Sequence, residues 1–187
     1  MKAILSLCLG LIFCGCSTTQ ENKNLKVDSK SGYKDLSFQS SSQPLTQKGN
    51  FVLAKTNSCK TISEFECVQG PYMSLGSIKF DKLILTYTQD SLSQVVLFKG
   101  YDEDKWLMLA KSMREEYGEP TEIDQKKLGG SLLTVLKWSG NKTYVSLEGI
   151  ATGAIILSMN TVSGLNRKFD LEESCRQQEQ QKVKADL

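Results

Sequence analysis

The chain is expected to fold as an α+β domain: a mainly antiparallel sheet of about five strands, one amphipathic helix packed on a face, and a polar C-terminal helix. Three observations point there. Short β-rich runs recur between turn residues, one segment repeats apolar residues at helical spacing, and the last stretch is helix-prone yet almost wholly polar. No internal repeat is long enough to read in the sequence.

In chain order, Phe51-Val52-Leu53-Ala54 reads as a short strand or buried lead-in. Within residues 58–68, Ile62, Phe65 and Val68 suit one face of a short helix that Ser58 would cap. Ile78 to Tyr87 and Leu92 to Phe98 form a hairpin through Thr88-Gln89-Asp90-Ser91, with a bend near Asp81 where the apolar parity changes. The clearest helix follows. Asp102 suits an N-cap, Glu103 and Asp104 suit the positive end, and Trp106, Leu109, Ala110, Met113 and Tyr117 form an apolar stripe. Gly118 and Pro120 stop it. Leu132–Trp138 and Thr143–Glu148 flank the tight-turn pair Gly140-Asn141, and Ala154 to Met159 is a further strand. From Asp170 to Lys184 only Leu171 and Cys175 stack as an apolar pair, so the terminal helix packs by its first turns.

Domain organisation follows from composition. Residues 1–15 form a signal peptide, 16–50 a flexible tether, 51–165 the globular domain and 166–187 a polar helix or tail. The tether is rich in Ser, Gln, Lys and Asn and buries too little to repay its ordering entropy. A coil of that length spans roughly 30 Å. Tyr33, Leu36 and Phe38 are its residues with something to dock.

The N-terminus has one charge at Lys2, an apolar run from Ala3 to Phe13, and then small residues ending in Cys16. Phe13-Cys14-Gly15-Cys16 resembles the bacterial lipobox. That resemblance implies a bacterial lipoprotein: cleavage before Cys16, a diacylglycerol on its thiol and acylation of the new N-terminus. Several acyl chains on one residue anchor firmly where one does not. The sorting rule of such lipoproteins, with Ser17 after the cysteine, implies the outer membrane, facing the periplasm or the cell surface.

Removing residues 1–15 takes the net charge from +2 to +1. A nearly neutral chain with dispersed basic residues has no field to draw in nucleic acid. There is no histidine, which removes the usual general base and the commonest zinc ligand. After processing, Cys59, Cys67 and Cys175 remain beside Cys16, enough for one bridge in an oxidising compartment. Cys59 with Cys67 is the first choice, provided the segment turns back on itself, and Cys175 is the competing partner.

The motifs that carry chemistry are weak. Ser-x-x-Lys occurs at Ser31–Lys34 in the tether and at Ser139–Lys142 in a hairpin tip, not on rigid elements where lysine deprotonates serine. The acidic neighbours Asp102/Asp104, Glu115/Glu116 and Glu172/Glu173 point apart on helices. No metal, cofactor or phosphate-loop spacing is present, and no enzyme is expected. The expected function is a membrane-anchored, non-catalytic module that binds a protein partner, with an immunity or exclusion lipoprotein as the sharper variant. An envelope structural or assembly lipoprotein is the alternative, and a lipid or cell-wall hydrolase the rival from another class.

Overall fold

The structure, a computed structural model, describes residues 26–185. The expected signal peptide and Cys16 lie outside the described residues. In chain order the elements are β1 (Gly32–Tyr33), β2 (Leu36–Ser37), α1 (Gln43–Lys48), β3 (Phe51–Thr56), β4 (Ile62–Cys67), β5 (Ser74–Leu75), β6 (Ile78–Lys79), β7 (Lys82–Thr88) and β8 (Ser91–Gly100). Then come α2 (Glu103–Tyr117), β9 (Glu122–Leu128), β10 (Ser131–Ser139), β11 (Thr143–Ile150), β12 (Ala154–Thr161) and α3 (Val162–Ala185).

One antiparallel sheet of eight strands, ordered β3-β4-β7-β8-β12-β11-β10-β9, dominates the molecule. The expectation of about five strands is therefore corrected to eight, and the fold is mainly β with α+β character. Two strands account for most of the difference. β4 was expected to be helical, because Ile62 and Phe65 are three residues apart. They instead lie on opposite faces of a strand buried on both sides, Ile62 at 5% and Phe65 at 7% exposure. β9 is an edge strand of mostly exposed polar residues and carries no alternation to read.

The topology contains a repeat that the sequence hides. β3-β4-β7-β8-α2 and β9-β10-β11-β12-α3 are each a four-stranded meander followed by a helix. They meet where β8 pairs with β12, with Leu97 opposite Leu157. The expected hairpin between β7 and β8 forms through Gln89 and Asp90, both at positive φ as a tight antiparallel turn needs.

The core lies on one face of the sheet. Leu83 and Leu85, Val95 and Leu97, Ile155 and Leu157, Val145 and Leu147, and Leu136 and Trp138 alternate inward from five strands. Burying each large apolar side chain contributes about 1.5–3 kcal/mol. α2 packs on this face through Leu109, Ala110, Met113 and Tyr117, as its stripe predicts. Asp102 caps it by accepting a bond from the Lys105 amide at 3.0 Å. The Trp138 indole donates to the Gly118 carbonyl at 2.9 Å, fastening the end of α2 to β10. Gly149 on β11 lies directly under the Trp106 ring, where a Cβ would approach Cε3 to 2.8 Å.

Residues 26–50 depart from the tether expectation. Val27, Tyr33, Leu36 and Leu45 are at most 5% exposed and belong to the core. The segment lies on the α2 face, alongside Tyr72, Ile78 and Phe80. Its few apolar residues are spaced so that each finds a pocket, and hydrogen bonds serve the polar ones. Gln39 donates its amide to the Leu92 carbonyl (3.0 Å), and Leu92 returns a bond to the Ser40 carbonyl (2.9 Å). Lys48 and Tyr72 both reach the Asp35 carboxylate, at 2.6 and 3.0 Å.

α3 starts directly after β12 and crosses the opposite face of the sheet. Lys168 donates to Gln94, whose side chain alternates with inward-pointing Val95. Under the helix, Thr86, Thr88 and Asn160 are nearly inaccessible. The helix begins well before Asp170, so the expected boundary at residue 165 falls inside it. The expected Cys59–Cys67 pair is also corrected. Cys59, in the β3–β4 loop, is bonded to Cys175 on α3, while Cys67 is a buried free thiol in β4. The segment from Cys59 to Cys67 runs out of the loop into a strand rather than turning back, which carries the two thiols apart.

Candidate functional site

A groove of about 530 Å³ lies where the N-terminal segment, the β10–β11 turn and the start of α3 converge. A second recess of about 250 Å³ adjoins it and shares Gln39, Thr161 and Ser163. Asp28 organises the floor. Its carboxylate accepts backbone bonds from Asn141 (2.8 Å), Lys142 (2.7 Å) and Thr143 (3.0 Å), so the turn closes around one side chain. A glycine is required beside it, because a Cβ at residue 140 would stand 2.1 Å from Asp28 Oδ1. The Thr143 hydroxyl reaches the Lys30 carbonyl at 3.3 Å, and the Val162 amide donates to the Lys142 carbonyl at 2.8 Å. Three segments far apart in sequence are thereby held in one place.

Desolvation pushes the Asp28 carboxyl up, but the Lys142, Asn141 and Thr143 amides and the Lys142 charge outweigh it and hold the group below the usual carboxylate range. Asp28 is thus an anion committed to structure. Gln39, Asn141 and Asn166 add amides and Ser31, Thr143, Thr161 and Ser163 hydroxyls, while Val162 adds apolar surface. Lys30 and Lys142 add positive charge, and Phe38 supplies one aromatic face. Such a wall donates and accepts hydrogen bonds.

The residues singled out from sequence are dispersed. Lys34, of the first Ser-x-x-Lys, donates to the Pro71 carbonyl, and the second motif's Lys142 offers its amide to Asp28. Asp102 caps α2, Glu115 pairs with Lys111 at 3.8 Å, and Glu173 pairs with Arg176. Among the described residues no group of three or more acids or thiols is placed to hold a metal. No helix among them is long and apolar enough to cross a membrane. Asp28, Lys30 and Gln39 were missed because they fell in the expected tether. The available signal was the apolar set Val27, Tyr33, Leu36 and Phe38, too dense for a fully solvated linker.

Comparison with protein-family models, curated proteins and solved structures finds no match to this chain.

Proposed function

We propose that the chain is a lipid-anchored lipoprotein of the bacterial envelope whose domain is a non-catalytic binding module, with the polar groove around Asp28 as its recognition surface for a protein partner. The observation that carries the reading is the Cys59–Cys175 disulfide. Such bonds persist in oxidising compartments and are rare in the cytosol. That favours export, which the lipobox-like Phe13–Cys16 segment independently suggests.

The packed N-terminal segment sharpens the arrangement. Lys26 lies ten residue steps after Cys16, and a fully extended chain of that length reaches at most about 35 Å. A domain anchored at Cys16 therefore stays close to the bilayer surface. It binds partners that approach the membrane rather than ones held far from it.

Cys16→Ser in the full chain tests the anchor. Loss of the acyl mass, accumulation of the unprocessed precursor and release from the membrane fraction are expected; unchanged mass, processing and fractionation refute the anchor. The binding half is tested by capture from the envelope with the lipidated protein, comparing the parent with a Lys30→Glu, Lys142→Glu variant. A partner retained equally by both would exclude the groove.

A further inference from the structure

We propose that a separate cavity, between α2 and the β5–β6 hairpin, binds a single-chain amphiphile whose head group carries a phosphate and a primary ammonium, as a lysophosphatidylethanolamine does. The cavity has a volume of about 310 Å³. Lys30 lines both it and the groove around Asp28.

The sequence builds the cavity from three pieces. Met159 on β12 points inward, in step with Ile155 and Leu157, and forms the floor. Leu109, Met113 and Tyr117 form one wall along the flank of α2, at the four-residue steps of a helix side. The facing wall is the hairpin, where Leu75 pairs with Ile78 across a turn with Gly76 at φ 57°. The Tyr33 hydroxyl holds this hairpin in place, reaching the Tyr72 carbonyl at 2.8 Å and the Ser74 carbonyl at 3.1 Å. With two residues per strand the hairpin is too short to lie along α2, and a space remains between them.

The chemistry of the lining selects the occupant. Apart from the Tyr117 phenol, the buried lining is hydrocarbon and thioether, so it offers little to a sugar or a nucleotide and takes an alkyl chain. Met113 and Met159 have soft, unbranched side chains that adapt to such a chain. The volume lies near the lower end for ligand pockets, which suits one chain rather than two.

The rim selects the head group. Lys30, from the N-terminal segment, is half-buried, whereas Ser112 and Glu116 stand exposed one turn apart on α2. Among the described residues neither Lys30 nor Glu116 belongs to an ion pair. A phosphate beside an ammonium satisfies both. Lys30 and the Ser112 hydroxyl donate to the phosphate, and Glu116 accepts from the ammonium. A purely anionic head brings its charge against Glu116 with no cation to offset it, which supplies specificity.

The test uses the full chain reconstituted in vesicles with a lysophosphatidylethanolamine that bears a diazirine near the end of its acyl chain. Irradiation and peptide mapping should place adducts on α2 around Met113 and on β12 at Met159. Leu75→Trp, at the half-buried mouth, should lower the yield at both by at least about tenfold. Unlabelled lysophosphatidylethanolamine should compete, and glycerophosphoethanolamine, the same head without a chain, should not. Lysophosphatidylglycerol should compete about two- to fivefold less well, as one exposed ion pair implies, and Glu116→Gln should remove the difference. Glu116 is exposed, so that variant reads the head group with the core untouched. Adducts spread over the surface overturn the proposal. So does a yield that Leu75→Trp leaves unchanged, or equal competition by both lipids in the parent. A failure of the anchor at Cys16 appears in membrane fractionation instead, and leaves the adduct positions as they are.

Discussion

Replacing both Cys59 and Cys175 with serine should cost the domain about 5 kcal/mol. The bridge joins residues 116 apart in sequence, so β4 through β12 lie inside the loop it closes. Releasing a loop of that size returns about 16 cal/mol/K of chain entropy to the unfolded state, which is about 5 kcal/mol at 25 °C. Single domains are typically stable by about 5–15 kcal/mol, so this is a third of the total or more. Both ends of the bridge are held by folded structure. In the β3–β4 loop, Asn57 Oδ1 accepts bonds from the Thr61 and Ile62 amides at 2.8 and 3.0 Å. On α3, Cys175 is 6% exposed. Opening the bond should therefore act on global unfolding rather than merely free a helix. With a urea slope of about 2 kcal/mol/M, the midpoint should fall by about 2.5 M relative to the parent at unchanged slope. A shift below about 0.5 M would refute the reasoning. It would show that α3 separates from the sheet before the sheet unfolds, leaving the bridge to constrain only the helix.

Further expectations follow from individual contacts. During oxidative refolding the short Cys59–Cys67 loop should close first, because loop entropy favours near neighbours; Cys67→Ala should then remove a mispaired species visible by non-reducing peptide mapping and speed recovery of the native bond. Asp28→Ala removes three backbone bonds to a carboxylate and should lower stability by about 2 kcal/mol in urea titration at neutral pH. Because the folded carboxyl titrates below its unfolded value, that contribution is full above the unfolded range and fades as pH falls through the acid range toward the folded value. Parent and variant should therefore converge in acid, and a gap that stays constant down to about pH 2 would be inconsistent with the lowered carboxyl. Gly149→Ala drives a methyl into the Trp106 ring and should cost about 1–3 kcal/mol, with Trp106→Leu relieving part of it in the double variant.

The parts of the fold written in local chemistry were legible. α2 was readable from its cap, stripe and glycine stop because each signal acts within a few residues. The β7–β8 and β10–β11 hairpins were readable from their turns for the same reason. β4 was not legible. A strand that contributes Ile62 to one face and Phe65 and Cys67 to the other has no single-sided period, and three-residue spacing imitates a helix. β9 failed for the opposite reason: at an exposed edge, charges such as Lys126 and Lys127 suit a strand that must avoid pairing with another, and they erase its alternation.

The groove was hidden more deeply, because its components become neighbours only through long-range pairing. Asp28 in isolation reads as a linker acid. It becomes structural when the β10–β11 turn, more than a hundred residues later, presents three amides to it. The disulfide obeys the same logic. Sequence proximity favoured Cys67, but proximity along a chain is not proximity across a sheet: β4 carries Cys67 away from the loop, while α3, crossing the opposite face, returns Cys175 to it. Composition alone cannot distinguish a polar segment that stays solvated from one whose few apolar residues each meet a prepared cavity. Residues 26–50 are the second kind, since Val27, Tyr33, Leu36 and Leu45 fill space beside the core that the strands and α2 leave open, and the polar residues between them are paid for in hydrogen bonds to the sheet and its turns.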